Sequence, residues 1–237
     1  MQVGVLITGH PTEFTLKNYG TYGEMFIELL ADSPDNWVLF DATAEEYPED
    51  PSVFSAWVIT GSASDAHADE PWIHRLKDFI RARFADGHKL LGFCFGHQAV
   101  AGALGGRSDR AVKGWEVGVI DIRLEPAFFE LPLSEGFPPA LSVLESHQDE
   151  VHELPPGALL LGTTPQSPNQ IFMIGDQVFC MQGHPEYYAE IVEDLVRTRA
   201  KKGLIPRSQA AVALKTLAEI PPDRALWQRL LKRFLYR

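Results

Sequence analysis

The sequence predicts an α/β protein with a mostly parallel central sheet flanked by helices, a small antiparallel β extension and C-terminal helices. As far as residue 106, short apolar runs alternate with helical patterns, which is typical of a parallel sheet covered on both faces. Beyond that point, short strands are separated by turns rich in proline and glycine. Because no repeat, low-complexity segment or linker interrupts the chain, we expect a single domain over residues 1–237.

The first strands and helix follow from compact apolar runs. Residues 3–8 predict a core strand, and residues 20–30 predict a helix. Two further strands are predicted at 37–40 and 56–60. The acidic, proline-flanked segment 44–51 between them indicates a surface connection.

A second helix is predicted to begin at Asp69-Glu70-Pro71, with Asp69 as its cap and proline in its first turn. Gly87 is expected to end it. Its apolar residues recur every three or four positions and define one buried face: Ile73, Leu76, Ile80 and Phe84.

The second half of the chain predicts short strands and then helices. The strands are expected at 117–124, 142–145, 158–163, 171–174 and 178–182, and the helices at 189–199 and 223–236. The last helix has one apolar face, which we expect to be buried in the core or at a docking surface.

Composition excludes several classes of protein. The 237 residues suffice for a sizeable core. A net charge of −11 disfavours binding to nucleic acid or an anionic membrane. Two cysteines make no disulfide framework and fit a reducing compartment. The sequence starts without a signal-peptide pattern and has no run of ~20 apolar residues, so we expect a cytoplasmic protein.

The segment 89–106 contains the first candidate catalytic residue. An apolar run leads into Gly92-Phe93-Cys94-Phe95-Gly96, and a helical pattern follows. A nucleophile on a sharp strand-to-helix turn needs small neighbours, and a helix start favours the thiolate. Cys94 is therefore a candidate nucleophile, although most free cysteines are simply small buried residues.

The candidate general base is His184, in the segment Gln182-Gly183-His184-Pro185-Glu186 just beyond a predicted strand. Glu186 can reach back to the imidazole, select its tautomer and stabilise its charged form. The alternative is a turn histidine beside a solvated glutamate.

Other reactive residue types have simpler explanations. His97 is expected to make a structural hydrogen bond, and Cys180 to be a packed core thiol. His147 and His152 do not follow any known spacing of metal ligands, so we expect neither a metal nor a cofactor.

Taken together, these motifs resemble the class I glutamine amidotransferase family. Gly-Phe-Cys-Phe-Gly-His-Gln (92–98), His-Pro-Glu (184–186) and Ser-His-Gln-Asp (146–149) are similar to the family's motifs. The segments 59–62, 64–66, 72–73, 113–114 and 179–187, together with residues near the C-terminus, resemble the gamma-glutamyl peptidase branch.

The resemblance implies a flavodoxin-like fold and a cysteine-dependent hydrolase that cleaves γ-glutamyl amide bonds through a glutamyl thioester. A Gly-Ser-Ala segment stands where many amidotransferases have Gly-Gly-Pro, which leaves the oxyanion donor in that loop open. The implied roles are catalytic for Cys94, His184 and Glu186, oxyanion binding for Phe95 with Gly61 or Ser62, and substrate binding for Gln98, Ser146 and His147.

Two other functions stay open at this point. The chain could be a glutaminase subunit that delivers ammonia to a separate synthase partner, because it carries no ATP-binding loop of its own. It could also be a non-catalytic binding module of the same fold. For the hydrolase and for the glutaminase subunit, the expected small-molecule partner is a γ-glutamyl compound or glutamine.

Overall fold

Strands and helices alternate along the computed structural model, which describes all 237 residues. The elements are β1 (Gln2–Ile7), α1 (Glu13–Tyr19), α2 (Tyr22–Leu30), β2 (Asn36–Asp41), β3 (Ala56–Ile59), α3 (Pro71–Ala85), β4 (Lys89–Phe93), α4 (Phe95–Ala103), β5 (Arg107–Arg110), β6 (Glu116–Leu124), α5 (Pro126–Phe129), β7 (Ala140–His147), β8 (Asp149–Glu153), β9 (Leu159–Thr163), β10 (Ile171–Ile174), β11 (Val178–Met181), α6 (Ala189–Lys201), α7 (Arg207–Glu219) and α8 (Arg224–Leu235).

Nine strands form one sheet in the order β2-β1-β3-β4-β11-β10-β9-β6-β7. The strands from β2 to β11 are parallel, and the pairs from β11 to β7 are antiparallel. The predicted α/β class is therefore confirmed. The predicted antiparallel β extension continues the central sheet. The carboxyl ends of β1, β3, β4 and β11 meet at one edge, where sites form in sheets of this kind.

Apolar side chains cover both faces of the sheet. Phe26 on α2 and Trp227 on α8 belong to a cluster of 25 buried residues. Ile73 on α3 and Val100 on α4 belong to a second cluster of 19. The apolar face of the last helix is thus core, as the first of the two interpretations predicted. No helix combines the length and apolar character needed to cross a membrane.

Some local predictions were wrong or incomplete. Asp69 does not cap α3: the capping position is Glu70, without a side-chain cap bond, and Asp69 binds His74 Nε2 at 2.6 Å instead. The helices α1, α5 and α7 and the separate two-stranded sheet of β5 and β8 were not predicted from the sequence. Only Ala210 and Ala213 are buried on α7, and β5 is the polar run Arg-Ser-Asp-Arg. The apolar positions of α7 have helical spacing, but their side chains are small or only partly buried: Ala210, Ala213, Leu214 and Leu217. The β5 strand has no apolar residue.

Candidate active site

Cys94 lies on the sharp turn between β4 and α4, with φ 52° and ψ −106°. A non-glycine residue at positive φ is strained and persists only where surrounding contacts hold it. The Cys94 N–H donates to the Met181 carbonyl at 3.0 Å. A Cβ atom on Gly96 would lie 2.3 Å from the Ile59 oxygen, and one on Gly92 would lie 2.6 Å from the Gly96 oxygen. The turn therefore requires glycine on both sides of the cysteine.

His184 follows β11, the parallel neighbour of β4, so its imidazole arrives at the same sheet edge as Cys94. His184 Nδ1 lies 2.8 Å from Glu186 Oε1, and both residues are buried. Because a carboxylate only accepts, Nδ1–H donates to it and Nε2 is left for other partners. A Cβ on Gly61 would lie 2.9 Å from His184 Cε1 and 3.6 Å from Cys94 Cβ. The thiol and the imidazole thus pack against one glycine.

Tyr187 fixes the plane of the imidazole. The rings of His184 and Tyr187 are stacked with centroids 4.0 Å apart and an interplanar angle of 4°. Tyr22 packs against Tyr187 in turn, with centroids 5.7 Å apart. An aromatic face beside an imidazole also favours its cationic form.

The charges around His184 favour the imidazolium. Burial by itself lowers the pKa of His184, but the charges of Glu186 and Cys94 outweigh it and raise the pKa to about 10. Below that pH the ring can hold the proton that an attacking thiol must give up. This is the arrangement that nucleophilic catalysis by a cysteine requires.

Cys94 opens into a cleft with two branches. The larger branch has a volume of about 280 Å³ and the smaller of about 100 Å³. A larger cavity of about 470 Å³ lies at the opposite end of β4, beside Lys89, and is remote from Cys94. Both branches of the cleft are lined by Ser62, Ala63, Cys94, Ser146 and Arg199.

The residues expected to bind an oxyanion lie beside Cys94. Phe95 is the first residue of α4, where backbone N–H groups have no partner within the helix. The Gly61 carbonyl accepts a hydrogen bond from Thr8 Oγ1 at 3.1 Å. Because the peptide is planar and trans, the N–H of Ser62 points away from Thr8. Ser62 lines the cleft, which makes its N–H the better placed of the two loop donors.

Gln98, one turn into α4, lines the larger branch. Its Nε2 donates to the Asp149 carbonyl at 2.9 Å and to Gln182 Oε1 at 3.0 Å. These bonds use the amide hydrogens and leave Oε1 as an acceptor. Gln98 can therefore receive a hydrogen bond from a bound cation.

Ser146 and His147 also line the larger branch. His147 Nδ1–H donates to the Asp149 carbonyl at 2.8 Å, and Nε2 lies 3.1 Å from Glu116 Oε2. Both ring nitrogens are thus committed inside the protein, so only the backbone of His147 is available to a ligand. Ser146 Oγ accepts from Arg199 Nη1 at 2.6 Å.

Arg199 was missed by the sequence analysis. It projects from α6 into the junction of the two branches, and its guanidinium lies 4.8 Å above the Trp115 ring. No carboxylate of the chain lies within ion-pair distance of it. No local motif marks this arginine, because its position depends on how α6 packs against the sheet.

Arg110 and two carboxylates form the rim of the larger branch. Arg110 Nη1 lies 2.6 Å from Asp149 Oδ1, and Nη2 lies 3.1 Å from Asp65 Oδ2. Burial, followed by the charge of Asp65, raises the pKa of Asp149 to about 6. Asp65, Asp149 and His67 also bring their ligand atoms within 4.8 Å of one another, but both carboxylates are already paired with the guanidinium of Arg110.

Glu145 is a second feature that the sequence did not reveal. It is fully buried, neither carboxyl oxygen has a hydrogen-bond donor, and Oε2 lies 3.4 Å from His147 Nε2. Burial, with a further contribution from Glu116, raises the pKa of Glu145 well above its ordinary value. Glu145 therefore keeps its proton in the folded protein under conditions in which an exposed glutamate would lose it.

His97 and Cys180 behave as expected. Burial lowers the pKa of His97 to about 3, and the neutral ring lies 3.3 Å from Gln182 Oε1 through Nδ1. Cys180 is fully buried in β11, and burial raises the pKa of its thiol.

Comparison with known proteins identifies the family of this chain. The family model "Glutamine amidotransferase class-I" matches residues 37–195. The chain belongs to the class I glutamine amidotransferases. It is 37% identical to gamma-glutamyl peptidase 4 of Arabidopsis thaliana over 95% of this chain and 92% of that protein. It is 35% identical to gamma-glutamyl peptidase 3 of the same plant over 94% and 92%.

The fold of this chain is similar to that of solved glutamine amidotransferase structures. A glutamine amidotransferase from Thermotoga maritima superposes with a TM-score of 0.75 at 24% identity, and the match covers 99% of each chain. At this identity the match shows the fold alone. The predicted family and its fold are thereby confirmed, while the roles of individual residues depend on the chemistry argued below.

Proposed function

We propose that this class I glutamine amidotransferase is a cysteine-dependent hydrolase of γ-glutamyl amide bonds. The observation that carries the proposal is the meeting of Cys94, His184 and Glu186 at one edge of the sheet, with both side chains of the His–Glu pair buried. The names of the Arabidopsis relatives support the same bond type.

Acylation uses the proton held by the imidazole. The Cys94 sulfur attacks the γ-carbonyl carbon and forms a C–S bond. His184, protonated by the thiol, gives that proton to the leaving nitrogen as the C–N bond breaks. Glu186 keeps Nδ1 protonated, so Nε2 is the nitrogen that faces the reacting atoms. The products of this half-reaction are the free amine and a glutamyl thioester on Cys94.

The negative charge on the carbonyl oxygen needs fixed donors. The backbone N–H groups of Phe95 and Ser62 serve as these donors, one from the start of α4 and one from the loop after β3. Since neither group belongs to a flexible side chain, their position is set before the substrate binds.

Deacylation reverses the roles of acid and base. Neutral His184 takes a proton from water, whose oxygen attacks the thioester carbonyl. The C–S bond breaks, the sulfur recovers the proton through His184, and glutamate leaves.

The charged ends of the substrate match groups in the cleft. Gln98 Oε1 accepts from the α-ammonium group of the glutamyl unit, together with backbone groups of Ser146 and His147. Arg199 supplies a cation with no carboxylate partner in the chain, which favours a substrate with a carboxylate. Its hydrogen bond to Ser146 Oγ and its stacking on Trp115 hold the guanidinium in place.

The test is the activity of the purified protein alone on a γ-glutamyl dipeptide and on glutamine. We expect the dipeptide to be cleaved to glutamate and an amino acid without a second protein. Glutamine turnover that appears only after addition of a cell extract would instead support the glutaminase subunit. No turnover of either compound, with or without extract, would support the binding module.

A matched pair of cysteine variants assigns the nucleophile. Cys94→Ala should abolish turnover while leaving the thermal unfolding curve unchanged in shape. Cys180→Ala removes the other thiol, which is fully buried in β11, and should retain turnover. Turnover by Cys94→Ala at the wild-type rate would remove Cys94 from the mechanism.

A further inference from the structure

The two branches of the cleft differ in which catalytic groups they contain. Cys94 lines both, but His184 lines only the smaller branch. Gln98 and the 147–149 segment line only the larger branch. A scissile amide placed at Cys94 must therefore extend one of its halves into each branch.

The proposed mechanism determines which branch holds the leaving amine and which holds the glutamyl half of the substrate. The leaving nitrogen has to lie at the imidazole that protonates it, because proton transfer needs hydrogen-bond distance. Only the smaller branch gives access to that imidazole. The glutamyl half, whose charged end needs Gln98, consequently occupies the larger branch.

We infer that the smaller branch is the subsite for the leaving amine, and that Leu195 and His10 determine which amines it accepts. This inference rests on the proposed function. Leu195 projects from α6 into the branch, and His10 stands at its rim with an exposed side chain. Neither residue belongs to a sequence motif of the family described above.

The walls of this subsite are held in place. Thr12 follows β1 and donates from Oγ1 to Asp194 Oδ2 on α6 at 3.0 Å, which ties the two walls together. The inner end is closed by Tyr22 and Tyr187. With a volume of about 100 Å³, the branch admits only a small group before the chain of a larger leaving amine must pass His10.

The charge of the subsite favours an amino acid as the leaving amine. Arg199 carries its only unpaired charge. No aspartate or glutamate side chain lines the branch. The α-carboxylate of a leaving amino acid or peptide would thus meet a cation and no free anion.

The test varies the leaving amine while the glutamyl half stays constant. The substrates are glutamine, γ-glutamylglycine and γ-glutamylleucine, and the readout is the ratio of kcat/KM for each dipeptide to that for glutamine. Leu195→Phe should lower the ratio for γ-glutamylleucine about tenfold, and Leu195→Ala should raise it, since filling or emptying a pocket changes discrimination by roughly this amount. Opposite shifts at one position cannot arise from partial unfolding.

Glu190→Ala is the matched control, because Glu190 lies on the same helix and is exposed. The ratio of kcat/KM for γ-glutamylleucine to that for glutamine should be the same in this variant as in wild type. If the Leu195 variants do not fold, His10→Phe narrows the rim from an exposed position and should lower the ratio in the same way. Dipeptide cleavage with an unchanged ratio in these variants would overturn the subsite but leave the proposed function standing.

A wild-type protein that turns over none of the three substrates would overturn the proposed function instead. If wild type cleaves glutamine and neither dipeptide, hydrolysis of a γ-glutamyl amide bond stands, but the ratio of kcat/KM values cannot be measured. The subsite is then tested by transfer of the glutamyl group from glutamine to added leucine, whose amine attacks the thioester, displaces Cys94 and passes its proton to His184. An amine acceptor must enter by the same branch, so transfer that does not change in Leu195→Phe would overturn the inference.

Discussion

Gly61→Ala tests whether the imidazole and the thiol are held together by packing. An added Cβ would lie 2.9 Å from His184 Cε1, whereas ordinary contacts begin at 3.4 Å, so the ring must retreat by 3.4 − 2.9, about 0.5 Å. The ring cannot rotate away freely, because Glu186 bonds its Nδ1 and Tyr187 stacks on its face. A misplacement of 1 Å can cost about 100-fold in rate, so half that distance predicts a roughly tenfold loss in kcat.

The same substitution at Gly102 provides the control. Gly102 lies within α4, and a Cβ there would meet only Lys77, at 3.6 Å. Replacing a helical glycine with alanine stabilises the helix by about 1 kcal/mol and should raise Tm by about 2–4 °C. Gly102→Ala should therefore keep wild-type kcat.

Both variants are assayed for kcat on a γ-glutamyl dipeptide, for Tm, and for the rate at which iodoacetamide alkylates Cys94. The prediction is a slower turnover and a slower alkylation in Gly61→Ala, with a Tm lowered by several degrees because overpacking costs about 1–3 kcal/mol. A Gly61→Ala protein with wild-type kcat, or an equal loss in Gly102→Ala, would refute the claim that close packing positions the pair.

Three further substitutions test the electrostatics of the site. Glu186→Gln removes the main charge that raises the pKa of His184 to about 10, so the alkaline limb of kcat/KM should move to lower pH and kcat should fall about 10²–10⁴-fold in a pH–rate profile. Glu145→Gln removes a carboxyl whose pKa is raised in the folded state. In wild type, Glu145 keeps its proton in the folded state, whereas the unfolded chain loses that proton above pH 4.5. Denaturant titrations above pH 4.5 should therefore show that the free energy of unfolding of wild type falls, relative to that of the variant, by about 1.4 kcal/mol per pH unit. Free energies of unfolding that change with pH by the same amount in both proteins would contradict this. Arg199→Met should raise KM for a γ-glutamyl dipeptide about tenfold with a smaller effect on kcat, and an unchanged KM would exclude contact with the substrate carboxylate.

Local motifs allowed the catalytic candidates to be predicted from the sequence. Cys94 and His184 each follow a strand, and the alternation of strands and helices placed both at carboxyl ends. Glu186 lies two residues after His184 across a turn, and this spacing lets its carboxylate bond the imidazole. The fold class followed from the same alternation, because the apolar periodicity of each segment can be read from the sequence without knowing which strands pair.

Features that depend on packing between distant segments were not predictable. Arg199 enters the cleft only because α6 packs against β6 and β7. His147 belongs to a family-like motif, yet its ring turns inward to Glu116. The capping prediction at Asp69 was wrong because that carboxylate finds His74 instead. The separate β5–β8 pair was missed because its strands are largely polar and lack the alternation of apolar residues that predicts a strand.

Mass spectrometry of acid-quenched protein during turnover of a γ-glutamyl dipeptide identifies the side chain that carries the glutamyl group. We expect an added mass of one glutamyl unit on the peptide that contains Cys94, labile to hydroxylamine as a thioester is, and absent from the Cys94→Ala protein. Steady turnover with the glutamyl group on another side chain, or turnover by Cys94→Ala at the wild-type rate, would contradict it.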